Sequence, residues 1–240
     1  MPASLKTEAL VLRSIRYAEA DRILHVYTPA HGRQGVIAKG VRRARSRFGA
    51  RLEPFSHVAL VLYQGRGELL TVTAADTIAA NGGLRESAVR LDAAARACDA
   101  VWRLFETGEP HPEVFTLLAN ELKLLAGGTA AAGPENAVAF RLKLLLAAGI
   151  LPQLGACVSC GDRQHLVGFS PSAGGVTCSA CESGSFALDQ EAYTFLVMAL
   201  GSPLAQIPAA SERALRLADR AIRETAEHHA QVKLRPIPYR

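Results

Sequence analysis

Over the first 80 residues, five short apolar, β-rich runs are broken by polar stretches: EALVLRSIRY (8–17), RILHVYTP (22–29), RQGVIAKGV (33–41), HVALVLYQG (57–65) and ELLTVTAADT (68–77). These runs are rich in Val, Ile, Leu, Thr and Tyr, and stretches such as TPAHGRQG and the hairpin-like YQGRGEL separate them as turns. Five short strands in so small a region predict a barrel over 1–80. An OB-fold is the first candidate, with an SH3-like barrel as its competitor.

After ANGGL the pattern takes on the period of a helix. Leu84, Ala88, Leu91, Ala95, Cys98, Val101, Trp102 and Phe105 recur three to four residues apart, one apolar face of a helix in which Cys98 is a small core residue. PEVFTLLANELKLLAG (112–127) and PENAVAFRLKLLLAAG (134–149) start at prolines and stop at glycines, as helices do. LDQEAYTFLVMAL and a long amphipathic helix capped by Ser211 complete a helical domain over 81–151 and 188–240.

An insertion at 152–187 separates the two halves of that domain and carries CVSCGDRQHLVGFSPSAGGVTCSAC. Cys157 and Cys160 form one C-x2-C pair and Cys178 and Cys181 a second, the spacing at which two tight knuckles offer four thiolates to one ion. Gly161 gives the first knuckle its turn. The expectation is one structural zinc in a zinc-binding knuckle. His165 is a lesser candidate ligand. Four thiolates leave no open position for an activated water, so this metal is scaffolding.

Charge sharpens the picture of the barrel. Residues 1–80 hold 12 Lys and Arg against 6 Asp and Glu, whereas the remaining residues hold 15 against 16. The excess is concentrated in VIAKGVRRARSRFGARLEPF, where Lys39, Arg42, Arg43, Arg45, Arg47 and Arg51 precede the first acid, Glu53. A localised excess of this kind is a footprint for a polyanion. These six cations are candidate phosphate contacts, and Phe48 is a candidate base-stacking surface. For Phe55, behind Pro54, the expectation is instead a plug at the barrel end.

The motifs of phosphate-binding loops, dinucleotide sites and nucleophile elbows are absent from the sequence, so no enzyme is expected. Glu19 and Asp21 read as solvated or matched with Arg16 and Arg22, and His228 and His229 as groups steadying a helix C-terminus. With no apolar run of signal or membrane-spanning length, a cytoplasmic location is expected.

TEALVLRSIRYAEADRILHVYTPAHGRQGVIAKGVRRARSRFGARLEPF resembles the amino-terminal segment of the RecO family of bacterial recombination mediators. The likeness lies in the acid-Asp-Arg entry to the second strand, the T-x3-G turn and the A-K-G-x-R-R-x-x-S-R-F-x-x-x-L-x-P-F run. The helical region and the inserted four-cysteine knuckle extend it over the whole chain. The resemblance implies an α+β multidomain protein with a five-stranded OB-fold, a helical domain and an inserted zinc finger. It also implies binding of single- and double-stranded DNA, strand annealing and a nucleoid-associated cytoplasmic location. Implied partners are RecR, the C-terminal tail of single-strand-binding protein and, indirectly, RecA. Two other readings stay open from the residues alone: an RNA- or ribosome-associated OB and zinc-finger module, and an adaptor docking acidic protein tails.

Overall fold

Strand β1 (Ser4–Tyr17) pairs antiparallel with two neighbours, its first half with β4 (His57–Tyr63) and its second with β2 (Asp21–Thr28). A register shift between Val11 and Arg13 marks the change of partner and bends the strand, as a bulge does. β2 continues antiparallel to β3 (Gly32–Ala38), and β4 to β5 (Leu70–Ala79). A parallel seam, Val36↔Leu70 and Ile37↔Thr71, closes the barrel in the order β1-β2-β3-β5-β4. This is the OB arrangement, with the five strands where the β-rich runs place them. In the computed structural model the described residues are 4–239 apart from 44, 66 and 68; the turn expected at 63–69 therefore lies partly outside them.

Inward positions Ala9, Val11, Leu24, Val26, Val36 and Leu60 form the barrel core, and Phe48 and Leu52 join it from the β3–β4 connection. Two helices pack in the same compact unit, 1–128: α1 (Ala88–Leu104) and α2 (Pro112–Gly127). The buried stripe of α1 runs through Ala94, Ala97, Cys98, Ala100 and Val101, so the helix is rotated from the expected face and Leu91 is left 39% exposed. Small residues win because they let the backbone approach its neighbours closely. Gly32, at φ +58, shows the same economy: a Cβ there would lie 1.9 Å from the Glu109 carbonyl oxygen, where the β2–β3 turn bridges Thr107.

The second unit, 129–240, contains α3 (Pro134–Ala147), α4 (Gln190–Gly201) and α5 (Glu212–Ala230) around the inserted finger. Helix α3 is apolar on most sides and is buried accordingly, through Val138, Ala139, Phe140, Leu142, Leu144 and Leu145. Asp189 and Ser211 cap α4 and α5, accepting hydrogen bonds from Ala192 N–H (2.8 Å) and Ala214 N–H (3.3 Å). Within this unit Arg141, 3% exposed, donates to Asp219, 2% exposed, at 2.8 Å. A second Arg141 nitrogen reaches the Arg235 carbonyl (2.5 Å), and Tyr239 donates to the Leu215 carbonyl, so the extended segment after α5 is strapped across the helices.

Packing and sequence period divide the chain differently. The period changes near 80, 151 and 187, whereas packing groups α1 and α2 with the barrel, and α3 with the finger, α4 and α5. Among the described residues no helix is long and apolar enough to cross a membrane.

Candidate nucleic-acid interface and metal centre

The basic run leaves β3 at Ala38 and turns at once. Gly40, at φ +67, donates its N–H to the Asp21 carboxylate (2.7 Å), and Arg42 N–H reaches the Ala20 carbonyl (2.9 Å). The run is thereby pinned against the β1–β2 turn. Further on, Ser46 N–H to the Arg43 carbonyl and Arg51 N–H to that of Phe48 mark successive tight turns, and Arg22 holds Glu53 at 3.0 Å. Phe48 and Leu52 point into the barrel while the cations between and around them stay outside.

Lys39, Arg42, Arg43, Arg45, Arg47 and Arg51 are all exposed, and none forms an ion pair with a carboxylate among the described residues. Arg42 donates instead to the Glu19 carbonyl (3.0 Å), Arg51 to those of Arg47 and Phe48, and the Arg47 guanidinium lies 4.8 Å from the Phe48 ring centroid. Phe48 itself corrects an expectation: at 2% exposure it is a core residue that anchors the loop and offers no face to a base. Phe55 is half-buried near the barrel end, its N–H on the Val11 carbonyl at 2.7 Å. Arg22 pairs with Glu53, and Asp21 serves the backbone of Gly40, so neither acid of the Glu19–Asp21 stretch neutralises Arg22. Arg16, opposite Arg22 across the strand pair, is exposed and extends the same patch.

A second cationic cluster escaped the sequence reading. The guanidinium carbons of Arg13 and Arg33 lie 4.0 and 3.9 Å from the Trp102 ring centroid, and the His25 ring meets Trp102 edge-on at 4.4 Å. Burial, with Arg13 and Arg33 adding repulsion, lowers the His25 imidazole to about 4, so at neutral pH it is uncharged. Arg13, His25 and Trp102 are far apart in the chain. Only the alternation of β1 and β2 hinted that Arg13 and His25 would share a face.

The four finger cysteines meet as their spacing predicts. Strands β6 (Leu166–Ser170), β7 (Gly175–Cys178) and β8 (Phe186–Ala187) form a small sheet in the order β7-β6-β8 that carries the second pair at its end. The first knuckle closes by Gly161 N–H to the Cys157 carbonyl (2.9 Å), with Gly161 at φ +81. The second closes by Cys181 N–H to the Cys178 carbonyl (2.9 Å). All four sulfurs lie within 4.8 Å of one another, and Cys160 and Cys178 are 3.6 Å apart. Thiolates about 2.3 Å from a tetrahedral ion stand about 3.8 Å apart, so the donor set fits one metal ion. Backbone N–H groups, that of Cys178 foremost, draw the Cys157 thiol down to about 6, while hydrogen bonds with Cys160 and Cys178 hold the Cys181 thiol up at about 12. His165 stands outside the cluster, and its carbonyl accepts from Ser179 N–H. His229 Nε2 donates to the Pro171 carbonyl (2.8 Å) and so ties the finger hairpin to the last turn of α5.

Between finger and α5 lies a cleft of about 720 Å³, floored by Val167, Leu188 and Leu217 and rimmed by Arg213, Arg216 and Arg220. Arg213 meets Asp189 at 3.3 Å, Arg220 meets Glu224 at 2.6 Å, and Arg216 pairs with Glu212. Such exposed pairs exchange easily for another carboxylate.

Residues 1–81 match the family model described as Recombination protein O N terminal, and residues 85–236 that described as Recombination protein O C terminal. The chain is similar to the DNA repair protein RecO of Rubrobacter xylanophilus, 44% identical over 183 residues that cover 75% of this chain and 73% of the relative. It is also similar to that of Streptomyces griseus, 34% identical over 243 residues covering 98% and 97%. The Nocardioides protein of the same description is 35% identical over 241 residues, covering 98% of each.

Proposed function

The chain belongs to the RecO family of DNA repair proteins, and from that premise we propose that it acts without catalysis, as a DNA-binding recombination mediator. Its basic loop would bind single- and double-stranded DNA by their phosphates, promote annealing and, with RecR, help load RecA onto DNA covered by single-strand-binding protein. One observation carries the reading: six exposed cations on a loop that Phe48 and Leu52 anchor, with no carboxylate neutralising them among the described residues. Their long side chains can follow a backbone of phosphates, and sequence-independent binding of this kind is set by charge. Cytoplasmic, nucleoid-associated action goes with this role.

The loop can be tested by salt. If it neutralises about four to six phosphates, log affinity for single-stranded DNA falls against log salt with a slope of roughly −3 to −4. Arg42→Glu, Arg43→Glu and Arg45→Glu together are expected to flatten that slope by about 2 and to weaken single-strand and duplex binding alike. A folded triple variant with the parent's slope refutes the assignment.

The four cysteines would hold a structural zinc. For the acidic, apolar-ended tail of single-strand-binding protein, the cleft beside the finger offers the matching chemistry: an apolar floor with three arginines at its rim. Calorimetry with the tail peptide is expected to show binding that Arg216→Glu with Arg220→Glu weakens more than about tenfold, since carboxylates would then face carboxylates. Equal heats and affinities for the two proteins would remove the tail from this cleft.

A further inference from the structure

Resting on the acidic-tail reading of the cleft above, we infer that the finger is a metal-dependent wall of that cleft, so that zinc and an acidic, apolar-ended peptide each strengthen the binding of the other. The cleft wall and the cysteine cluster share one sheet. Cys178 of the cluster is registered opposite Leu166 at the start of β6, and Leu166 and Val167 both line the cleft. One rung of the ladder therefore separates a cysteine of the cluster from the peptide site. The register shifts between Leu166 and Gly168, which leaves Val167 as the extra residue of a bulge, 37% exposed. Next to Cys178, Ser179 N–H holds the His165 carbonyl at 3.1 Å and repeats the link between the two strands.

The other edge of β6 carries this order on to the helices. Gly168 and Phe169 are registered with Ala187 and Phe186 of β8, and Leu188 N–H closes on the Val167 carbonyl at 2.8 Å. Ala187 and Leu188 line the cleft too. On the facing side, the Arg220 guanidinium carbon of α5 lies 4.0 Å from the Phe186 ring centroid, so the finger also positions one of the three rim cations. A sheet of three short strands has little core of its own, and without its metal it opens. The cleft then keeps only its α5 side. A peptide whose carboxylates meet the arginines while its apolar end lies on Val167 and Leu188 needs both sides and binds the closed finger alone. Linkage makes the effect mutual. Charge would give the opposite sign, since four thiolates around one Zn²⁺ carry a net −2 that repels carboxylates; the cooperation comes from order in the wall.

The test uses the zinc-loaded whole protein and follows transfer of its zinc to the chromophoric chelator pyridylazoresorcinol, with and without an aspartate-rich peptide ending in phenylalanine. Zinc leaves through the opened finger, so a ligand of the closed finger slows its release. At a peptide concentration about ten times its dissociation constant, measured by fluorescence anisotropy, transfer is expected to slow roughly tenfold. Arg216→Glu with Arg220→Glu is expected to abolish the slowing. Val167→Ser, a surface change outside the cysteine set, is expected to keep the parent's zinc content while reducing both peptide affinity and the slowing. Peptide that binds through the arginines yet leaves zinc transfer unchanged overturns the inference and keeps the acidic-tail reading. Peptide that does not bind at all overturns both. Equal slowing in parent and arginine variant would place the peptide elsewhere on the chain and remove the finger from its site. If a thymidine oligonucleotide slows transfer and the peptide does not, the cleft serves nucleic acid and the inference falls.

Discussion

A chain carrying Cys157→Ser and Cys178→Ser is expected to lose the zinc proposed for it, melt far below the parent and precipitate, with the finger at 152–187 opening first. Together the two changes remove one sulfur from each C-x2-C pair of a cluster whose atoms all lie within 4.8 Å. The finger's sheet has three short strands, and modules below about 40 residues rarely hold a fold on apolar burial alone. Structural zinc contributes about 10–16 kcal/mol in isolated finger peptides, as much as the whole stability of many domains, about 5–15 kcal/mol. Zinc must also displace protons, including that of the Cys181 thiol held near 12, so loading is expected to weaken as pH falls. DNA binding by any folded remainder should drop much less than in the Arg42, Arg43, Arg45 variant, because a closed four-thiolate site of net charge −2 adds no attraction for phosphate. Metal analysis with calorimetry decides the matter: one zinc per chain is required, and a metal-free protein with four free thiols and unaltered melting would sink the idea.

Asp219→Ala is expected to cost about 3–5 kcal/mol, because it leaves the buried Arg141 guanidinium without its carboxylate. Asp219 also receives Arg223 at 2.9 Å, and Arg141 holds the Arg235 carbonyl, so the loss spreads to the strapped segment after α5. By contrast Glu212→Ala breaks an exposed pair with Arg216 and should change stability by no more than about 1 kcal/mol. Urea unfolding of the two variants measures the contrast. An Asp219→Ala chain within 1 kcal/mol of the parent would mean that the pair's desolvation had cancelled its attraction.

Much of this architecture can be read along the chain, for local reasons. Runs rich in Val, Ile, Leu and Thr between turn residues mark the strands; Pro112 and Gly127 bound α2 because neither suits a helix interior; the cysteine pairs announce themselves by spacing. What escapes is set by distant partners. Phe48 among arginines looks like a stacking ring, yet the connection from β3 to β4 doubles back and drives it into the core. Trp102 looks like one more apolar position on α1 until β1 and β3 bring Arg13 and Arg33 against it. The stripe on α1 is misjudged at Leu91 because small side chains, which carry little apolar weight in a periodicity, decide how closely the helix packs.

The barrel's parallel seam has a kinetic consequence. β2 meets its neighbours across short turns, whereas among the described residues β3 and β5 pair at Val36↔Leu70 and Ile37↔Thr71, across a longer stretch of chain. Long-range pairings of this kind form late, since loop closure precedes any reward from contact. A parallel seam with two pairs among the described residues is also the natural place for the wall to breathe. Amide protons along it should exchange with solvent sooner than those of the β1–β2 hairpin.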